Sequence, residues 1–144
     1  MEPVKIGLLG LGTVGGGTVT VLTRNAAEIA RRAGREIRLA RAAAMQYNPE
    51  IPGLDQIGHI GNDAFAVVDD PEIDIVIELI GGYSPARELV LKAIANGKHV
   101  VTANKALIAR HGNEIFAAAR EQGVVVAFEA AVAGGVPIIK ALRE

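Results

Sequence analysis

Val4–Gly17 reads VKIGLLGLGTVGGG, and this stretch decides the fold. A short apolar run from Ile6 to Leu9 feeds directly into Gly10-Leu11-Gly12-Thr13-Val14-Gly15. That G-x-G-x-x-G spacing belongs where a buried strand turns sharply into a helix. The three glycines have separate jobs. Gly10 can adopt the backbone angles of the tight turn, Gly12 lets main chain approach a pyrophosphate with no Cβ in the way, and Gly15 lets helix and strand lie close. The helix start adds unpaired N–H groups and a partial positive charge that suit phosphate. Glycine turns are common, so the context matters. Val19, Leu22, Ala26, Ile29, Ala30 and Ala33 follow at helical spacing, which predicts one amphipathic helix in the required place.

Outward from this unit the same alternation repeats. Ile37–Met45 is read as the next strand, although IRLARAAAM is poor in strand formers. Asn48–Gly61, with two prolines and three glycines, reads as an irregular loop, and His59 within it is assigned no role. Asp63–Val68 is expected to form a short helix, with the acids of Asp69-Asp70-Pro71 acting as caps and turn residues. Ile73–Ile80 (IDIVIELI) is nearly continuous hydrophobe, the pattern of a parallel strand covered on both faces, and it ends in Gly81-Gly82. Ser84-Pro85 predicts an N-cap with proline in the first helical position. Ala86, Leu89, Val90, Ala93 and Ile94 form that helix's apolar stripe, and Gly97 stops it. A strand near Val100 brings Thr102, Asn104 and Lys105 to the ligand edge; Asn113–Gln122 reads as a helix closed by Gly123, and Val124–Phe128 as a strand. Strands alternating with helices predict an α/β fold of the Rossmann type, a doubly wound parallel sheet with helices on both faces.

Composition narrows the function. The chain has 144 residues, half of them hydrophobic, enough for one domain with a real core. A net charge of −1 gives no electrostatic case for nucleic acid or an anionic membrane surface. No apolar run approaches the ~20 residues of a membrane span, and no targeting segment is expected before the first strand. The absence of cysteine excludes disulfides and thiolate chemistry and fits a cytoplasmic protein. The end of the second strand bears on cofactor choice. Ala44-Met45-Gln46-Tyr47 contains no acid to bind ribose hydroxyls, and Arg41 is near, so either NADP or NAD is accepted with a lean to NADP.

Four blocks carry a more specific resemblance: GLGTVGGG, ELIGGYSPA, GKHVVTANKALIA and FEAAVAGGVPIIKALRE. In this order, over nearly the whole chain, they resemble the homoserine dehydrogenase family, whose members interconvert aspartate 4-semialdehyde and homoserine with a nicotinamide cofactor. The resemblance implies that Gly10, Leu11, Gly12, Thr13, Val14 and Gly15 hold the pyrophosphate and that Ile80 and Gly81 border the cofactor. It also implies that Thr102 contacts the nicotinamide side. Lys105 would lie beside cofactor and substrate, where its ammonium can bind or protonate the oxygen that gains charge. Glu129, with the backbone carbonyls of Val132, Gly134 and Val136, corresponds to a monovalent cation site that suits sodium. Family members continue into a substrate-binding and dimer-forming domain. Residues 1–135 are therefore expected to be the nucleotide-binding domain and 136–144 the start of a connecting helix, in a full-length homo-oligomeric enzyme. The residues leave other readings open: a related amino-acid dehydrogenase such as aspartate dehydrogenase, a nucleotide-sensing module, or a structural domain that binds no dinucleotide.

Overall fold

The computed structural model describes residues 2–128, which form one six-stranded sheet with helices on both faces. In chain order the elements are β1 (Val4–Leu9), α1 (Thr13–Arg24), α2 (Ala26–Ala33), β2 (Ile37–Ala43), β3 (His59–Gly61) and α3 (Ala64–Asp69). They continue as β4 (Ile75–Glu78), α4 (Ala86–Ala95), β5 (His99–Thr102), α5 (Lys105–Gln122) and β6 (Val126–Phe128). Strand order is β3-β2-β1-β4-β5-β6, and every pairing is parallel. All strands therefore end at the same edge. The order reverses between β1 and β4, and a crevice opens there at the carboxyl ends of the strands.

Side chains alternate across the sheet, so each face has its own core. Ile6, Leu8, Ile75, Ile77 and Val101 pack with Val19, Leu22 and Ile29 of α1 and α2. Leu9, Val76 and Val100 face the other way, onto α3, α4 and α5 through Val67, Val90, Ile94, Leu107 and Ile115. The stripe expected on α4 is buried as a set: Ala86, Leu89, Val90, Ala93 and Ile94. The doubly wound sheet is thus the observed architecture.

Four local expectations are corrected. The first helix is two helices that break at Asn25; Asn25 N donates to Val21 O, and Ile29 N donates to Asn25 O, so the apolar phase survives the break. The 48–61 loop contains a turn of 3₁₀ helix (Leu54–Gln56) and the edge strand β3, which pairs with β2 from Arg41 to Ala43. Pro85, not Ser84, is the N-cap of α4. The chain turns earlier, with Arg87 N donating to Tyr83 O, and the Ser84 hydroxyl donates to Glu88 instead. Finally, α5 starts at Lys105 rather than Asn113, because the Asn104 side chain caps it by accepting from Leu107 N.

Candidate nucleotide-binding site

The site grows from the β1–α1 turn. Gly10 has φ +100°, and its N–H donates to Ala43 O at 2.8 Å, which ties the turn to the end of β2. A Cβ on Gly10 would lie 3.0 Å from the Leu79 carbonyl, and one on Gly15 would lie 2.1 Å from the Gly10 oxygen. A Cβ on Gly12 would instead meet nothing within 4 Å. Two of the glycines are thus demanded by the protein's own packing, and the third faces open space.

That open space fronts an uncapped helix. Gly12 is the N-cap of α1, no side chain caps it, and the first turn holds no acid. The first helical bond runs from Gly16 N to Gly12 O, so the N–H groups of Thr13, Val14 and Gly15 have no intrahelical partner. Thr13 and Val14 are exposed, and Leu11 is buried beneath them. Bare backbone donors at the positive end of a helix, with no Cβ between them and solvent, fit a phosphate group.

Two lobes flank this turn. One, of about 500 Å³, is bordered by Gly10, Gly12, Met45, Gln46, Phe65 and Ile80 and is largely apolar. The other, of about 590 Å³, runs past Thr13, Thr20, Tyr47, Asn48 and Glu50. Met45, Phe65 and Ile80 are large apolar groups left exposed at the first lobe, as an aromatic ring would require. A cleft of comparable size, about 540 Å³, lies at the opposite edge beside Arg35, Asp74 and Lys98. Its cations are engaged within the protein: Lys98 Nζ donates to Asp70 O and Ile73 O, and Arg35 donates to Glu2 O. It also lies at the amino ends of the strands, away from the edge where parallel sheets bind ligands.

Arg41 does not reach the cofactor edge. Its Nη1 lies 3.3 Å from Asp70 Oδ2 and 3.5 Å from Ala66 O, at the far end of α3. The Glu72 N–H and then Arg41 hold the Asp70 carboxyl below the ordinary carboxylate value. Asp63, which borders the apolar lobe, is likewise committed: its Oδ1 accepts from Phe65 N and Ala66 N as the N-cap of α3. The end of β2 thus offers neither an arginine for a 2′-phosphate nor a carboxylate of its own for ribose hydroxyls.

Across the crevice, Ile80 and Gly81 are exposed, with Gly81 and Gly82 in the left-handed region at φ 85° and 72°. Their anchor is Glu78, a residue that reading the run as uniform hydrophobe passes over. Glu78 is fully buried. Its Oε2 accepts from Ile80 N (2.8 Å) and Gly81 N (3.1 Å), and its Oε1 accepts from the Thr102 hydroxyl (2.7 Å). Thr102 is also fully buried and accepts from Asn104 N, so contact from this position to a ligand would come from its backbone. Asn104 Nδ2 donates to Gly82 O at 2.7 Å. Lys105, the next residue, is exposed at the first turn of α5, and no hydrogen bond or ion pair fixes its ammonium among the described residues. The fold therefore brings Gly10–Gly15, Ile80, Gly81, Thr102 and Lys105 to one edge of the sheet. Glu129, Val132, Gly134 and Val136 lie outside the described residues. Among the described residues no cluster of three metal-binding side chains occurs, and no helix is long and apolar enough to cross a membrane.

A parallel doubly wound sheet with an uncapped, glycine-fronted helix at its switch point defines a dinucleotide-binding domain. Comparison with known proteins narrows this. The family model described as homoserine dehydrogenase, NAD binding domain, matches residues 10–129. Homoserine dehydrogenases from Pseudomonas aeruginosa and Neisseria gonorrhoeae are 68% and 56% identical over the whole chain, which covers 33% of each. A crystal structure of a homoserine dehydrogenase from Thiobacillus denitrificans superposes with a TM-score of 0.82 at 65% identity, with the chain covering 33% of it. The chain belongs to the homoserine dehydrogenase family and corresponds to its NAD-binding domain. It spans about a third of the length of these relatives.

Proposed function

We propose that this chain is the cofactor-holding part of an enzyme that interconverts L-aspartate 4-semialdehyde and L-homoserine. The observation that carries the reading is the placement of Lys105: an exposed cation, unpaired among the described residues, at the same sheet edge as the uncapped start of α1. The cofactor, when bound, supplies or accepts the hydride. The N–H groups of Thr13, Val14 and Gly15 hold its phosphates. Met45, Phe65 and Ile80 cover an aromatic ring in the apolar lobe. The backbone of Ile80, Gly81 and Thr102 borders the crossing toward the nicotinamide. Lys105 steadies, or gives its proton to, the substrate oxygen that becomes an alcohol.

The finer cofactor reading is NADP ahead of NAD. It is supported by the acid-free end of β2, since a carboxylate there would repel a 2′-phosphate; Arg41 no longer contributes to it. A monovalent cation at Glu129, Val132, Gly134 and Val136 rests on the family resemblance alone, as does a homo-oligomeric full-length enzyme whose further domain binds substrate; a cytoplasmic setting is supported by the absence of cysteine. Calorimetric titration of the 144-residue chain with NADPH and with NADH tests the site directly. Saturable binding, tighter for NADPH, is expected; failure of both nucleotides to bind this chain and the full-length protein would refute the proposal. In the full-length enzyme, Lys105→Ala should cut turnover while cofactor affinity changes little.

A further inference from the structure

Among the described residues Glu78 is the only buried carboxylate, and the hydride chemistry proposed above gives it no role. A carboxylate removed from water is unfavourable unless donors surround it, and here two backbone N–H groups and one hydroxyl do so. The arrangement does more than satisfy the charge. It draws the Ile80 and Gly81 N–H groups inward, which fixes how the strip after β4 lines the crevice. The bonds then close on themselves. From Glu78 they run to the Thr102 hydroxyl, from its oxygen to Asn104 N, from Asn104 Nδ2 to Gly82 O, and back along the chain to Gly81 N and Glu78. The Asn104 carbonyl oxygen caps α5 at Leu107 N, and Lys105 is the first residue of that helix.

We infer that Glu78 is a positioning residue. Its carboxylate closes a hydrogen-bonded ring that fixes the cofactor-lining Ile80–Gly82 strip relative to the Lys105 end of α5. This rests on the role proposed for Lys105. Coupling to Lys105 tests it, because a residue that acts only on general stability has effects independent of that side chain.

The experiment is a double-mutant cycle in the full-length protein with Glu78→Gln and Lys105→Ala, read by single-turnover NADPH oxidation with aspartate 4-semialdehyde and by the Kd for NADPH. Glutamine keeps the shape and an acceptor oxygen but weakens the charge-assisted bonds, so the single-turnover rate should fall about tenfold in the wild-type background. In the Lys105→Ala background the same change should cost less than about twofold. Thr102→Val breaks the ring from the other side and should follow the same pattern, and Thr102→Ser, which restores the hydroxyl, should recover most of the lost rate. That series keeps the question answerable if Glu78→Gln fails to fold. Equal losses in both backgrounds, or no loss from either ring variant, overturn the inference. If the wild type binds NADPH but does not reduce the semialdehyde, the functional reading fails by itself. The Kd values then decide on Glu78: weaker NADPH binding in Glu78→Gln and in Thr102→Val, recovered in Thr102→Ser, upholds the ring's hold on the Ile80–Gly82 strip, and an unchanged Kd refutes it. A wild type that binds no nucleotide overturns both.

Discussion

Gly12→Ala and Gly15→Ala place the same methyl group three residues apart, with opposite expected consequences. At Gly15 the new Cβ would stand 2.1 Å from the Gly10 oxygen and 2.8 Å from its carbonyl carbon. Ordinary contact needs about 3.5 Å, so α1 must back away by more than about 1 Å from a turn already tied to Ala43. Overpacking of this kind costs about 1–3 kcal/mol. For a chain of this size that corresponds to a melting temperature lower by roughly 3–12 °C. At Gly12 the methyl meets nothing within 4 Å, and the backbone, at φ −73° and ψ −155°, suits any residue. Alanine is the poorer N-cap by several tenths of a kcal/mol, while the stiffer unfolded chain returns about 0.4–1 kcal/mol. The net change is within about 0.5 kcal/mol, and the melting temperature should stay within about 2 °C. Binding should change instead, because that methyl occupies the approach to the bare N–H groups. A clash of about 2 kcal/mol weakens NADPH binding roughly 30-fold. Circular-dichroism melts and calorimetric titrations read both quantities. Wild-type nucleotide affinity in Gly12→Ala, or a wild-type melting temperature in Gly15→Ala, would refute the reasoning.

Three further outcomes follow from the described contacts. The Arg87 guanidinium grips Glu114 through two bonds of 2.8 and 2.6 Å and holds its carboxyl below the ordinary value of 4.5. A carboxyl lowered by folding adds stability above its unfolded value, and that stability is lost as pH falls through the folded one. The stability gap between wild type and Glu114→Gln should therefore be open at about pH 7 and close as pH drops below about 4.5 in urea melts, whereas a pH-independent gap would contradict the assignment. Asp63→Ala removes the acceptor for two N–H groups at the start of α3 and should cost about 1 kcal/mol in urea unfolding; no change would mean that this cap contributes nothing. Arg41→Met should lower stability yet leave the ratio of NADPH to NADH affinity unchanged, because Arg41 is held by Asp70. A shift of about tenfold toward NADH would put Arg41 back at the 2′-phosphate.

The sequence made some elements plain and concealed others for identifiable reasons. β1 and β4 were legible because a parallel strand buried on both faces has to be apolar almost throughout. The stripe on α4 was legible because every member packs against the sheet. β3 was hidden because it has three residues at the sheet's edge, and among the described residues its only partner is β2. The start of α5 was hidden for another reason. From Lys105 to His111 only Leu107 is buried, so no apolar period announces the helix, and its signal is the Asn104 cap. The glycine turn could be read from its spacing between an apolar strand and a helical stripe, since Gly10 and Gly15 answer to backbone geometry and close packing. Glu78 could not, because a single acid in IDIVIELI looks like noise until its donors are known. The available clue was physical: a charge inside a doubly covered strand requires partners, and Gly81-Gly82 just beyond it lets the chain curl back to supply them.

The strand order also has a kinetic consequence. Most neighbouring strands are brought together by short crossovers: Glu78 and Thr102 are 24 residues apart, and His99 and Val125 are 26. The seam between β1 and β4 joins residues much farther apart in the chain, with Lys5 and Asp74 separated by 69. Closing that loop costs about 0.9 kcal/mol more entropy than closing the 24-residue one. The β1–β3 half and the β4–β6 half can each gather locally, so docking along this seam is expected to be the late, slow event in folding. The crevice straddles the same seam, so the uncapped start of α1 and the Lys105 edge come together only when the two halves meet.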